Sequence, residues 1–203
     1  MTHATRFVAV AVLVALAATA CAPQEQEEVS ESAYEGLERI ANSELDALLV
    51  RAEAGDAEAQ NILGSSYSSG FGVPEDDAEA ARWYRLAADQ GHAGAQFSLG
   101  DAHFFGVPQD APEAVRWYRL AAEQGHASAQ GRLGNGYANG QGVPQDDVQA
   151  HLWFDLAASR MTGVLRESAV EARDLAASRL TPDDLSEAQR LAREWDAAHP
   201  REP

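Results

Sequence analysis

Residues 55–90, 91–124 and 125–160 are near-copies of one another. Each copy runs through the same skeleton: a glycine, an A-x-A-Q step, Leu-Gly, a Gly-Val-Pro turn, then a helical stretch around an aromatic pair. The pairs are Trp83-Tyr84, Trp117-Tyr118 and Trp153-Phe154, with tryptophan spacings of 34 and 36 residues. A unit this short cannot bury its own apolar face and must stack on its neighbours, so a period in this range predicts an array of units and not a single enzyme core. Arrays of this kind usually present a long surface to a partner.

Within each copy the punctuation predicts helix, turn, helix. In the first, Asp56 to Ser69 reads as a helix ended by Gly70, and Pro74 cannot continue it. Asp76, Asp110 and Asp146 stand where an N-cap is expected for the second helices, and Pro112 is tolerated in a first turn. The second copy lacks two residues of the turn, which reads Phe105-Gly106-Val107-Pro108 and accounts for the shorter period. His103 falls at the position of Tyr67 and Tyr137 and reads as a packing substitute. His92 and His126 recur one repeat apart at helix starts.

The flanks differ in kind. Residues 1–20 read as an export signal: Arg6, an apolar run from Phe7 to Leu16, then small residues. Cys21, the chain's lone cysteine, follows Ala18-Thr19-Ala20. This junction fits a bacterial lipobox, with Cys21 lipidated, and it also fits ordinary A-x-A cleavage. The expected location is therefore the bacterial envelope, as an outer-membrane lipoprotein facing the periplasm; the alternative is a soluble periplasmic or secreted protein. Residues 21–42 read as the lipidation site and an acidic tether too poor in apolar residues to fold. Residues 43–54 read as a degenerate repeat helix carrying Leu45, Leu48 and Leu49, with Ser43 as its cap. Residues 161–203 read as C-terminal capping helices. One is expected over 164–180 with Leu165, Ala169, Ala172, Leu175 and Ala176 on one face, and another starts at Thr181-Pro182.

The recurrence of Ala57-Glu58-Ala59-Gln60, Leu63-Gly64, Gly72-Val73-Pro74 and Ala80-Ala81-Arg82-Trp83-Tyr84 resembles the Sel1-like repeat, a short relative of the tetratricopeptide repeat. The resemblance implies an all-α fold, a right-handed α/α solenoid, that binds proteins or peptides without catalysis. Some secreted, cysteine-rich members are linked to penicillin binding or β-lactamase activity. An envelope hydrolase or penicillin-recognising protein is therefore the alternative function, although this chain lacks their paired cysteines.

The charge narrows the partners. The chain has 15 basic and 32 acidic residues, and every basic residue is arginine. Nucleic acid is disfavoured, since phosphate binding needs clustered positive charge, and a basic protein or peptide is favoured. Membrane attachment is expected only through a lipid anchor at Cys21. Without lysine there is no Ser-x-x-Lys pair and no phosphate-loop lysine. Without H-E-x-x-H or a cysteine pair the common zinc spacings are missing. No catalytic residue, metal site or cofactor is expected. Trp83, Trp117 and Trp153 recur at every copy and read as core, with Arg82, Arg85, Arg116 and Arg119 on a solvated face. The third copy breaks that pattern with His151 and Asp155.

Binding specificity belongs where the copies differ. By analogy with tetratricopeptide arrays, the first helices line the concave face. The variable positions there are Glu58, Asn61, Ser65, Ser68 and Ser69 in the first copy. In the second they are Phe97, Asp101, Phe104 and Phe105, and in the third Ser128, Asn135 and Asn139. Phe97 and Phe104 are the expected apolar anchors, with Asp101 and the Ser/Asn groups setting register.

Overall fold

A computed structural model of the protein describes residues 43–105 and 109–200. The expected signal, Cys21, the tether and the Gly106-Val107-Pro108 turn lie outside the described residues. Every regular element among the described residues is a helix: α1 (43–53), α2 (Ala57–Ser69), α3 (Asp77–Asp89), α4 (Ala93–Phe105), α5 (Ala111–Glu123), α6 (Ala127–Asn139), α7 (Asp147–Arg160), α8 (Gly163–Ala177) and α9 (Pro182–Ala198). They fall into two compact units, one ending at Leu86 and the other beginning at Ala87. None of these helices is long and apolar enough to cross a membrane.

The helix starts follow local chemistry. Asp56, Asp110 and Asp146 each accept a hydrogen bond from the backbone N–H three residues on, and Asp76 does the same for Glu79. Such caps satisfy donors that have no partner within the helix. The backbone N–H of each second-helix cap also reaches back to the first helix of its own repeat. Asp76 donates to Tyr67 O, Asp110 to His103 O and Asp146 to Tyr137 O, at 2.9, 2.9 and 3.0 Å. The shortened second turn is therefore closed by the same bond as the other two, and His103 occupies the tyrosine position. At the other end of the first helices, Gly70 and Gly140 adopt left-handed φ values of 69° and 68°, where a side chain would be strained.

Two features explain the invariant skeleton. The glutamine of A-x-A-Q is buried in every copy and donates to a carbonyl eight residues earlier. Gln60 reaches Ala52 O, Gln96 reaches Ala88 O and Gln130 reaches Ala122 O, at 2.9 to 3.2 Å. These carbonyls lie in the last turn of the preceding helix, where they lack helical donors. The glycine of Leu-Gly makes room for the second aromatic of the pair. A Cβ on Gly64 would lie 2.6 Å from Tyr84, on Gly100 2.6 Å from Tyr118, and on Gly134 2.8 Å from Phe154.

In the first unit Ala52, Ala59, Leu63 and Trp83 form the core, and Leu45, Leu48 and Leu49 pack on it as their spacing predicts. Ser43 is already helical, so it is not the cap expected of it. In the second unit one cluster joins α5, α6, α7 and α9 through Val115, Tyr118, Leu133, Trp153, Leu156 and Ala192. The three repeat tryptophans are buried, as core residues should be. The face expected of α8 is corrected: Ala169 and Ala176 are buried, but Leu165 and Leu175 are mostly exposed, because the apolar contact of α8 with α7 runs through Ala169, Val170, Ala172 and Ala176.

Candidate functional site

In the first unit Glu58, Ser65, Ser68 and Ser69 are exposed on α2 and Asn61 is half-buried. The Ser69 hydroxyl donates to the backbone carbonyl of Ser65 at 2.7 Å, which leaves a shallow polar strip.

The second unit carries a denser arrangement on α4. Phe97, Asp101, Phe104 and Phe105 fall at helical spacing along one stretch of it. The expected anchors, Phe97 and Phe104, are both half-buried and packed against the core cluster. Phe97 stacks on His126, with ring centroids 4.9 Å apart, and meets Tyr118 at 6.1 Å. Phe104 lies 6.4 Å from Tyr118 and meets Phe105 edge-on at 4.9 Å. These two rings are spent on packing between helices. The ring left open is Phe105, which is 57% exposed.

Asp101 is also engaged. It accepts the Tyr118 hydroxyl at 2.6 Å and pairs with Arg132 of α6 at 3.1 Å. Arg132 in turn lies over the Phe105 ring, 4.9 Å from its centroid. Burial, with Asp101 next in weight, pushes the Tyr118 hydroxyl well above the ordinary tyrosine range, so it stays a proton donor. Arg132 stands where Ile62 and Ser98 stand in the other copies. That difference between the copies is the sequence signal for it.

In the third copy Asn135 and Asn139 are exposed and Ser128 is half-buried. The Asn139 amide donates to the backbone carbonyl of Asn135 at 3.0 Å. On the second helices the arginines behave less uniformly than expected. Arg82 and Arg116 each lie over the neighbouring tryptophan and pair with Glu79 and Glu113, but Arg119 donates to the Tyr137 hydroxyl at 2.8 Å. His92 and His126 act as helix caps, each accepting at Nδ1 from the N–H three residues on, at 3.1 and 3.2 Å. No cluster of metal-ligating side chains occurs among the described residues.

Paired helices, recurring caps and a recurring Gly–aromatic contact define an all-α repeat scaffold of the solenoid class. The sequence matches the Sel1 repeat at residues 57–92, 93–126 and 127–160, so the chain belongs to the Sel1 repeat family, whose members generally mediate protein–protein interaction. It is similar to the crystal structure of a Sel1 repeat protein from Oxalobacter formigenes, at 35% identity and a TM-score of 0.56, over 63% of this chain and 98% of that one. It is also similar to c5321, described as a protective antigen of uropathogenic Escherichia coli with an SLR fold. There the identity is 29% and the TM-score 0.53, over 76% of this chain and 41% of that one. A comparison with curated protein sequences finds no match.

Proposed function

We propose that the protein is a non-catalytic adaptor that holds a protein or peptide on the α4–α6 surface of its second unit. The observation that supports this reading is Phe105. It is a large exposed ring on a first helix, held in place by Phe104 on one side and Arg132 on the other. A ring fixed before binding loses little conformational freedom on contact and can anchor an apolar side chain of the partner. Asn135 and Asn139 on α6 offer amide groups to a partner's backbone. In the first unit Glu58, Asn61, Ser65 and Ser68 form a polar strip for further partner contacts.

The net charge of −17 favours approach of a basic partner through long-range steering, which salt would weaken. The local contact at Phe105 is apolar, because Asp101 is already neutralised by Arg132. The Cys21 junction and the acidic segment after it support an exported protein tethered to an envelope membrane, with residues 43–200 held away from it. Metabolic labelling with a lipid precursor, lost in Cys21→Ser, tests the anchor.

The adaptor reading is tested by photo-crosslinking. A crosslinker at position 105 is compared with one at position 120 on α5, and the captured partner's affinity is measured for the intact chain and for Phe105→Ser. Capture from position 105 and at least about tenfold weaker binding by Phe105→Ser, the worth of one anchor contact, supports the reading. Equal affinity for the two proteins overturns it.

A further inference from the structure

The third repeat departs from the other two on its second helix. Position 151 holds histidine where the first two copies have Ala81 and Val115, and position 155 holds aspartate where they have Arg85 and Arg119. In the second copy this position is covered by the repeat that follows. Cβ atoms placed on Gly136 and Gly142 would lie 3.4 and 2.9 Å from a Val115 methyl. After the third copy α8 and α9 stand in place of another Gly-Val-Pro turn. They leave a cleft of about 490 Å³ over His151, a volume in the range of small-molecule sites.

The chemistry of this cleft is partly used up. Arg173 is committed to both aspartates, donating to Asp174 at 2.8 and 3.0 Å and to Asp155 at 3.1 Å. Two groups remain. Arg193, on the α9 side, makes no ion pair among the described residues. His151 is only 4% exposed, and its Nδ1 is buried with no hydrogen-bond partner. Ala177 and Leu185 supply an apolar wall.

We propose that the cleft between α7, α8 and α9 binds a single carboxylate carrying a short apolar group, either a peptide C-terminus or a small organic acid. Its oxygens would accept from Arg193 and from the His151 ring, while the apolar part lies along Leu185 and Ala177. A carboxylate suits a planar guanidinium donor. The two nearby aspartates and the acidic chain select against polyanions such as phosphate esters. The site is separate from the Phe105 surface and does not depend on the adaptor reading.

The probes are N-acetyl-alanyl-leucine, its C-terminal amide, and isovalerate, titrated into the full chain by calorimetry with the histidine ring signals followed by NMR. Binding of the acid peptide with a shift of the His151 ring, at least about tenfold tighter than the amide, is expected, since one charge-assisted hydrogen bond is worth that much. Arg193→Gln should lose about the same factor with unchanged melting, because Arg193 is exposed and has no ion pair among the described residues. His151→Val keeps the residue that the second copy carries, so it should fold and bind more weakly. Binding of isovalerate as well as the peptide points to a free acid, and binding of the peptide alone points to a chain terminus; both support the site. Failure of both acids to bind, equal affinity for acid and amide, or full affinity in Arg193→Gln overturns it.

Discussion

The Tyr118 hydroxyl donates to Asp101 Oδ1 at 2.6 Å, and the same carboxylate pairs with Arg132 of the next repeat. One aspartate thus joins α4, α5 and α6. The equivalent positions elsewhere hold Ser65 with Tyr84 and Asn135 with Phe154, so this charged junction belongs to the second repeat alone. Tyr118→Phe should lower stability by about 1–2 kcal/mol, the worth of a part-buried hydrogen bond to a charged acceptor. It should not disturb the packing, because Phe154 fills the same space beside Gly134. Urea unfolding followed by helical signal measures the loss, and an unchanged midpoint would mean the bond adds nothing.

Two glycines on equivalent first helices should respond to alanine with opposite signs. At Gly100 an added Cβ would lie 2.6 Å from Tyr118 and 3.3 Å from the Ala114 carbonyl. Gly100→Ala should therefore cost about 1–3 kcal/mol through overpacking. At Gly131 the nearest atom is the Met161 terminal methyl, at an ordinary 3.7 Å. Gly131→Ala should gain about 0.5–1 kcal/mol from helix propensity alone. Thermal melting of the two variants decides it, and a loss at both positions would show that the Met161 contact is tighter than it looks.

Periodicity made the scaffold legible, while the surface was harder to read. The Asp and Thr caps of the later helices and the tryptophan core follow from residue type at fixed offsets, and the structure places Asp76, Asp110, Asp146 and Thr181 as caps; Asp56, read as the first residue of its helix, is a cap as well. His92 and His126 were harder to read, since histidine is an uncommon cap and its role needs the ring's orientation. Which of the α4 rings is open is hidden from the sequence for a similar reason. Phe97, Phe104 and Phe105 are the same residue type on one helix, and only the positions of His126 and Tyr118 decide which rings are covered. Likewise the exposure of Leu165 and Leu175 depends on where α7 meets α8, which the pattern of α8 alone does not contain.

Stability should fall as the solution becomes acidic, partly through His126. Burial first, then the neighbouring His92, hold its pKa below the ordinary histidine value, and the ring accepts a hydrogen bond at Nδ1 that its protonated form cannot accept. A depressed folded-state pKa means the unfolded chain takes up the proton first. The stabilisation is therefore complete above the unfolded value of about 6.5 and is lost as pH falls through the lower folded value. His151, also lowered by burial, adds in the same direction. Asparagine caps well and does not titrate. His126→Asn should thus flatten the decline of the urea midpoint below about pH 6.5, even if it lowers the midpoint overall by removing the Phe97 stack. An unaltered slope would exclude His126 as a contributor.

The face of α7 covered by α9 shows what closes the second unit. Leu156 is 1% exposed, whereas Leu86 and Leu120 at the equivalent positions are 40% and 38% exposed. The difference comes from α9, which joins the same core cluster through Ala192 and packs Leu191 and Trp195 on it. Trp195 meets Trp153 edge-on at 6.3 Å, and the Arg160 guanidinium lies 4.7 Å from its ring centroid while pairing with Asp196 at 2.6 Å. Trp195→Ala removes the ring that holds these groups in register. It should cost about 2–4 kcal/mol, toward the lower end of large-to-small substitutions because the ring is only half-buried. Leu120→Ala, on the open face of α5, should cost under about 1 kcal/mol. Denaturant midpoints for the pair, with tryptophan emission reporting water at Trp153, measure the contrast. Equal losses would mean that α9 adds no more to α7 than solvent does to α5.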